Sequence, residues 1–211
     1  MTRTMTMTSR RVFLAAAPAL LAASLLAAPP LAGRAAAATL DAAASFVDQL
    51  LRDLLDIANG AAPQEAKRAA LARVIEQRVN VDAVARFCLG RFWRTASPQQ
   101  QADYTVLFRR VLVKNISERV GEYQGVTYSL GRAMQREGDI AVSSVVNRPG
   151  NAPNKVDWVV GAEGPPLVID VVAEGTSLRL TQRSDYAAFL ARNGNNVQAL
   201  IDALRQQAAA G

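Results

Sequence analysis

Asp157, Asp170, Glu174 and Cys88 are the residues of this 211-residue chain whose types and placing bear most directly on chemistry. A carboxylate pair, Asp170 with Glu174 or with Asp157, is the equipment of a glycosidase, where one acid donates a proton and the other acts as base or nucleophile. The signal is unspecific, because acidic residues populate most soluble surfaces. Asp170 lies inside the apolar run 167–173, which favours a structural role on an exposed sheet face or in a pair with Arg183. Cys88 stands at helical spacing with Val84 and Phe92 and reads as a small buried thiol. Arg91, one turn away, is the electropositive neighbour that a reactive thiol would need. The chain has no His, which removes Ser-His-Asp and Cys-His machines, a His general base and His-ligated zinc.

The elements that position these residues begin after an unusual leader. Residues 1–38 hold four Arg, at 3, 10, 11 and 34, and no acidic residue. An Ala/Leu run from Val12 to Ala28 precedes the small-residue stretch Ala35-Ala36-Ala37-Ala38. This is the n-region, h-region and cleavage pattern of a bacterial secretory signal. Ser9-Arg10-Arg11-Val12-Phe13-Leu14 adds a twin-arginine signature. A spanning anchor needs about 20 predominantly apolar residues, whereas this segment is mostly Ala and carries Pro18, Pro29 and Pro30. The expectation is a signal at 1–38 cleaved near Ala37 or Ala38, one domain over 39–211, and a periplasmic location. Of 24 basic and 18 acidic residues, four arginines leave with the signal; 20 against 18 gives a net +2. So small and interspersed a charge argues against nucleic acid as a partner.

Leu40 to Ala58 carries Val47, Leu50, Leu51, Leu54 and Leu55 at helical spacing, and Asn59-Gly60 ends it. Pro63 suits the first turn of a second helix whose stripe is Leu71, Val74, Ile75 and Val79, with Lys67, Arg68 and Arg78 off it. A third helix is expected over Val81 to Trp93. Ser97-Pro98-Gln99-Gln100 is a capping signal for a fourth, over Pro98 to Glu122. Its stripe of Tyr104, Leu107, Phe108, Val111, Leu112 and Ile116 marks it as the helix that covers a sheet.

From Val126 the period becomes two. Val126, Tyr128 and Leu130 share a parity; so do Ile140, Val142, Ser144 and Val146; then Val156, Trp158 and Val160; then Leu167, Ile169 and Val171. Short polar separators imply hairpins and a four-stranded antiparallel sheet. A helix with Tyr186, Phe189 and Leu190 follows Gly175, and a last one with Val197, Leu200, Ile201 and Leu204 follows an Asn195 or Asn196 cap. Four helices, four strands and two helices make an α+β domain.

In residues 170–190 an apolar strand with Val171 and Val172 runs into Glu174-Gly175, then Thr176-Ser177, then an amphipathic segment with Arg183-Ser184-Asp185-Tyr186 and Phe189. Upstream stand Phe87-Cys88-Leu89-Gly90-Arg91-Phe92-Trp93, Ala96-Ser97-Pro98-Gln99-Gln100 and Phe108. Over roughly residues 40 to 208 this order resembles the MlaC family, the periplasmic phospholipid-binding component of the Mla lipid-transport system, also called the toluene-tolerance family. The resemblance implies a curved four-stranded sheet packed against about six helices, enclosing an apolar cavity for acyl chains with the head group at its mouth. It also implies that the chain is no enzyme and has no cofactor beyond a phospholipid cargo. The partners it implies are an inner-membrane ABC transporter complex with its substrate-binding-domain subunit and an outer-membrane lipoprotein complex, the whole maintaining outer-membrane lipid asymmetry.

Cavity walls of that kind would combine Tyr104, Phe108, Val111 and Leu112 of the fourth helix with Tyr128, Val142, Val146, Trp158, Val160, Ile169 and Val171 of the sheet. Periodicity is the same whether these faces fill themselves or leave a cavity, so both readings stay open. Relatives associated with hopanoid-producing systems make a sterol-like terpenoid lipid the narrower alternative cargo. A retained signal would instead make the chain a membrane-tethered scaffold subunit. The energetic need is plain: two acyl chains hold on the order of 30 methylenes, and at about 0.8 kcal/mol each an unshielded lipid costs about 20 kcal/mol or more in water. N-terminal sequencing of the cell-envelope pool is expected to start near Ala38 or Thr39; an intact Met1 or Thr2 terminus in the membrane fraction would contradict the signal.

Overall fold

The structure, a computed structural model, describes residues 31–119 and 123–210, with side chains from residue 39 onward within them. The twin-arginine segment, the run from Val12 to Ala28 and the expected helix end at Glu122 lie outside the described residues. Those described form six α-helices, α1 (Leu31–Asn59), α2 (Gln64–Arg78), α3 (Val81–Leu89), α4 (Pro98–Glu118), α5 (Leu178–Arg192) and α6 (Val197–Ala209). The five strands are β1 (Thr127–Arg136), β2 (Asp139–Asn147), β3 (Asn154–Val160), β4 (Val168–Ala173) and β5 (Thr176–Ser177). No described helix is long and apolar enough to cross a membrane.

Local chemistry accounts for the boundaries. The expected third helix stops early: α3 gives way to a 3₁₀ helix, Gly90–Arg94, because Gly90 takes φ 60°, a conformation that other residues avoid. At the start of α4 the Ser97 hydroxyl accepts from the Gln100 amide at 3.2 Å, and the Gln100 side chain accepts from the Ser97 amide at 3.1 Å. Both orphan donors are thereby satisfied. Lys67, expected off the apolar stripe of α2, is instead buried, and its ammonium donates to the Ala58 carbonyl at 2.8 Å. A cation there satisfies an open carbonyl at the negative end of the α1 dipole.

The sheet is antiparallel in the order β1-β2-β3-β4-β5, one strand more than the alternation predicts. Period-two patterning cannot reveal a strand of two residues. The extra strand exists because Glu174 and Gly175, at φ 50° and 78°, make a two-residue hairpin that folds Thr176-Ser177 back onto β4. Glu174 also binds β3, donating its amide to the Lys155 carbonyl at 3.0 Å and accepting from the Lys155 amide at 2.6 Å.

Two apolar clusters build the interior. One is all helical, with Ala85, Cys88, Leu89, Phe92, Tyr104, Phe108, Val111, Tyr186, Leu190, Leu200 and Ile201 among its members. There Tyr104, Phe108 and Tyr186 meet pairwise with ring centroids 5.9–6.4 Å apart, and the Tyr104 hydroxyl donates to the Ala85 carbonyl at 3.0 Å. The other joins Ala43, Val47 and Leu51 of α1 to Ile140, Val142 and Val160 of the sheet. The helix on this sheet face is therefore α1, not α4 as the apolar stripe suggested. An amphipathic stripe says that a helix packs but not against what; α4 spends its stripe on α2, α3 and α6.

Asp170 welds the sheet to the helical layer. It is 7 % exposed, neither on an open face nor paired with Arg183. One carboxylate oxygen accepts from the amides of Val171 (2.8 Å) and Arg179 (3.1 Å); the other accepts from the Ser177 hydroxyl (2.6 Å) and lies 3.5 Å from the Arg179 guanidinium. Ser177 in turn accepts from the Leu180 amide at 3.1 Å as the cap of α5. A charge held at a helix N-terminus by amides and a cation is stabilising. Its removal leaves Arg179 facing an unpaired buried site. Asp170→Ala is expected to cost about 3–5 kcal/mol, read as a lower urea midpoint at unchanged slope.

Cys88 Sγ donates to the Arg179 carbonyl at 3.6 Å. Burial first, then the charge of Asp170, push this thiol from 9.0 up to about 12, with Arg179 and Arg183 pulling the other way. The folded state thus holds the proton more tightly than the unfolded chain. The stability this contributes is present below pH about 9 and is lost as pH rises from there to about 12. Alkylation of the native protein at pH 8 should be negligible and should become complete in urea; fast native labelling would contradict the buried thiol.

Candidate functional site

The carboxylates that could have formed a catalytic pair are held by backbone and cations. Asp170 is bonded at both oxygens as described, one Glu174 oxygen accepts from the Lys155 amide, and one Asp157 oxygen faces Arg136 at 4.0 Å while the other is buried without a partner. The thiol is protonated and buried, the Ser177 hydroxyl that meets Asp170 also caps α5, and no group of His, Cys, Asp and Glu among the described residues is placed to hold a metal.

The apolar face of the sheet offers a binding surface instead. In register across it, Ala133 pairs with Val142, Val142 with Trp158, and Trp158 with Val171. Beside this row Ile140 pairs with Val160, and Tyr128 with Val146. Polar groups on the face are internally satisfied. The buried Ser144 hydroxyl accepts from the Trp158 indole at 3.0 Å and donates to the Val156 carbonyl at 3.1 Å. A sheet face treated in this way can meet an apolar partner at no cost in stranded donors.

That partner is α1, whose Ala43, Val47 and Leu51 lie on the face with Leu40, Ala44 and Phe46 around them. The seam has a polar latch on one side. The Tyr128 hydroxyl donates to Asp48 at 2.8 Å, and Asp48 is also paired with Arg52. Burial and the bond to Asp48 raise the Tyr128 pKa. The far end of α1 is tied down more firmly. Arg78 of α2 pairs with Asp53 at 3.0 Å and stacks over Phe46; Asn59 accepts from the Gly125 amide at 3.0 Å; Ala58, Leu54 and Ile57 pack with Leu71 and Ile116.

The residues expected to wall a cavity therefore separate. Tyr128, Val142, Trp158 and Val160 come together under α1, with Val146, Ile169 and Val171 partly buried on neighbouring strand positions. Tyr104, Phe108, Val111 and Leu112 lie in the all-helical cluster and do not join them. Periodicity missed the α1 residues as wall candidates, although their own spacing announces the stripe. Two grooves open elsewhere on the surface, one of ≈ 410 Å³ between α5 and α6 and one of ≈ 530 Å³ beside α3, and neither is lined by a strand residue.

A solved structure of a phospholipid-binding protein from Ralstonia solanacearum, in complex with a phospholipid, shares this fold. The match has a TM-score of 0.68 and covers 79 % of this chain and 97 % of that one, at 22 % sequence identity. The family model described as MlaC protein matches residues 45–206, from within α1 to within α6. Spanning the sheet, the α1 seam and the helical cluster alike, that match shows that the chain belongs to the MlaC family.

Proposed function

We propose that this protein is a periplasmic phospholipid carrier that catalyses no reaction of its own. It shuttles lipid between an inner-membrane ABC transporter complex and an outer-membrane lipoprotein complex and so maintains outer-membrane lipid asymmetry. The observation that carries this reading is membership of the MlaC family across residues 45–206. The fold likeness to a protein solved with a phospholipid bound supports it. Residues 1–38 supply the route to the periplasm, as a twin-arginine signal removed near Ala38.

The acyl chains are assigned to the sheet face beneath α1, with Tyr128, Val142, Val146, Trp158, Val160, Ile169 and Val171 as the wall. The α4 residues Tyr104, Phe108, Val111 and Leu112 hold the helical layer together. Lipid enters by taking the place of the Ala43, Val47 and Leu51 side chains. One apolar surface replaces another on the sheet, so the exchange is close to neutral there, and its principal polar cost is the latch between Tyr128 and Asp48.

Mass spectrometry of lipid extracted from the purified protein should find glycerophospholipid; hopanoid alone, or no lipid, would contradict the cargo assignment. Val171, only partly buried beside Trp158, is the position to fill. Val171→Trp should reduce co-purified lipid while the urea midpoint of delipidated protein moves by less than the 1–3 kcal/mol typical of an overpacked core, about that range being the mark of a filled site. Lost stability with lipid content unchanged would make the sheet face an ordinary core.

A further inference from the structure

The groove beside α3 carries a charge that the carrier reading leaves unused. Arg86, Arg91, Arg94 and Arg183 line its ≈ 530 Å³, and no acidic residue does. None of the four makes an ion pair or side-chain hydrogen bond among the described residues, whereas nearby Arg109 and Arg179 are paired with Asp82 and Asp170.

Aromatic rings order three of these guanidiniums in place of carboxylates. Arg86 lies over Trp93 at 5.8 Å, Arg183 over Phe87 at 5.0 Å, and Arg91 over Phe92 at 4.9 Å. Stacking uses the face of the guanidinium and leaves its in-plane N–H donors free for oxyanions. Gly90 contributes by what it lacks: a Cβ there would stand 3.1 Å from Arg183 Nε, so glycine lets that guanidinium lie against the backbone. Apolar groups accompany the arginines: Trp93 in the lining is partly exposed, and Leu180, three residues before Arg183 on α5, is 56 % exposed.

We propose that this groove is a docking site for the phosphate-bearing surface of an anionic phospholipid bilayer. Uncompensated arginines draw a protein to an anionic leaflet, and an indole with an exposed leucine beside them suits the boundary between head groups and acyl chains. A bilayer satisfies both in one plane. An acidic protein surface would satisfy the cations alone and leave Leu180 in water or in need of a separate pocket. No strand residue lines the groove, so docking there is separate from the proposed acyl site.

The test is flotation of the purified protein with vesicles of phosphatidylcholine alone or mixed with phosphatidylglycerol, at low and raised salt. Binding is expected to the mixed vesicles only and to weaken with salt. Arg91→Gln and Arg94→Gln should each weaken it roughly fivefold. Co-purified lipid should stay at the wild-type level in the two arginine variants, which separates docking from the carrier reading. Equal binding to neutral vesicles, no binding, or arginine variants at wild-type affinity would overturn the proposal. So would loss of cargo in those variants, which would make the groove a cargo subsite, and so would binding of polyglutamate in place of vesicles, which would make it a protein-docking surface.

Discussion

The contact between α1 and the apolar face of the sheet is the constraint on which the rest of the structure depends. Val47 and Val142 are fully buried in it, at 0 % exposure each, and without a cover the face would present Ile140, Val142 and Val160 to water. Contacts of this kind are non-directional and scale with area. They are strong in sum yet indifferent to what supplies the second apolar surface. A hydrocarbon chain and a helix stripe are interchangeable there in a way that two hydrogen-bonded partners are not.

How α1 is attached bears on the proposed carrier role. Its C-terminal end is fixed by directional links, Lys67 to the Ala58 carbonyl, Arg78 to Asp53 and Gly125 to Asn59. Nearer the start, the seam on the sheet is apolar apart from Tyr128 and Asp48. The lipid entry proposed above would use this asymmetry, loosening the end of α1 held by area while its other end stays anchored. The helical cluster is different in kind, with three aromatic rings in contact and the buried Tyr104 hydroxyl bonded to a backbone carbonyl. Asp170 joins the two halves by bonding the start of α5 to β4.

Much of this was legible in the sequence, and the failures have physical reasons. The caps of α4 and α6 and the hairpin glycines were readable because each is a local demand met by a residue type. In β2 the expected Ile140, Val142 and Ser144 are buried, but so is Ala141 on the other face; in β3 Val159 is buried while Val156 and Trp158 are only partly so, because the sheet is covered on both faces there. In β4 the parity inverted for the buried positions: Val168, Asp170 and Val172 are the buried set, where Leu167, Ile169 and Val171 were expected. The helical layer reaches β4 from its other side, and an apolar run reads the same from either face. Which helix lies on the sheet was not legible at all, since Val111 and Val47 advertise equal appetites for burial. The arginine groove was hidden for a related reason. Its members sit on α3, the 3₁₀ helix and α5, far apart in the chain, and only the fold brings Arg183 against Gly90.

The most direct measurement of the central claim is photocrosslinking with a phospholipid that carries a diazirine along its acyl chain, followed by peptide mapping of the adducts. Acyl chains held beneath α1 place adducts on β1–β4 around Tyr128, Val142, Trp158 and Val171, and on the α1 stripe at Ala43, Val47 and Leu51. Adducts confined to α4, α5 and α6, or to the two surface grooves, would contradict it.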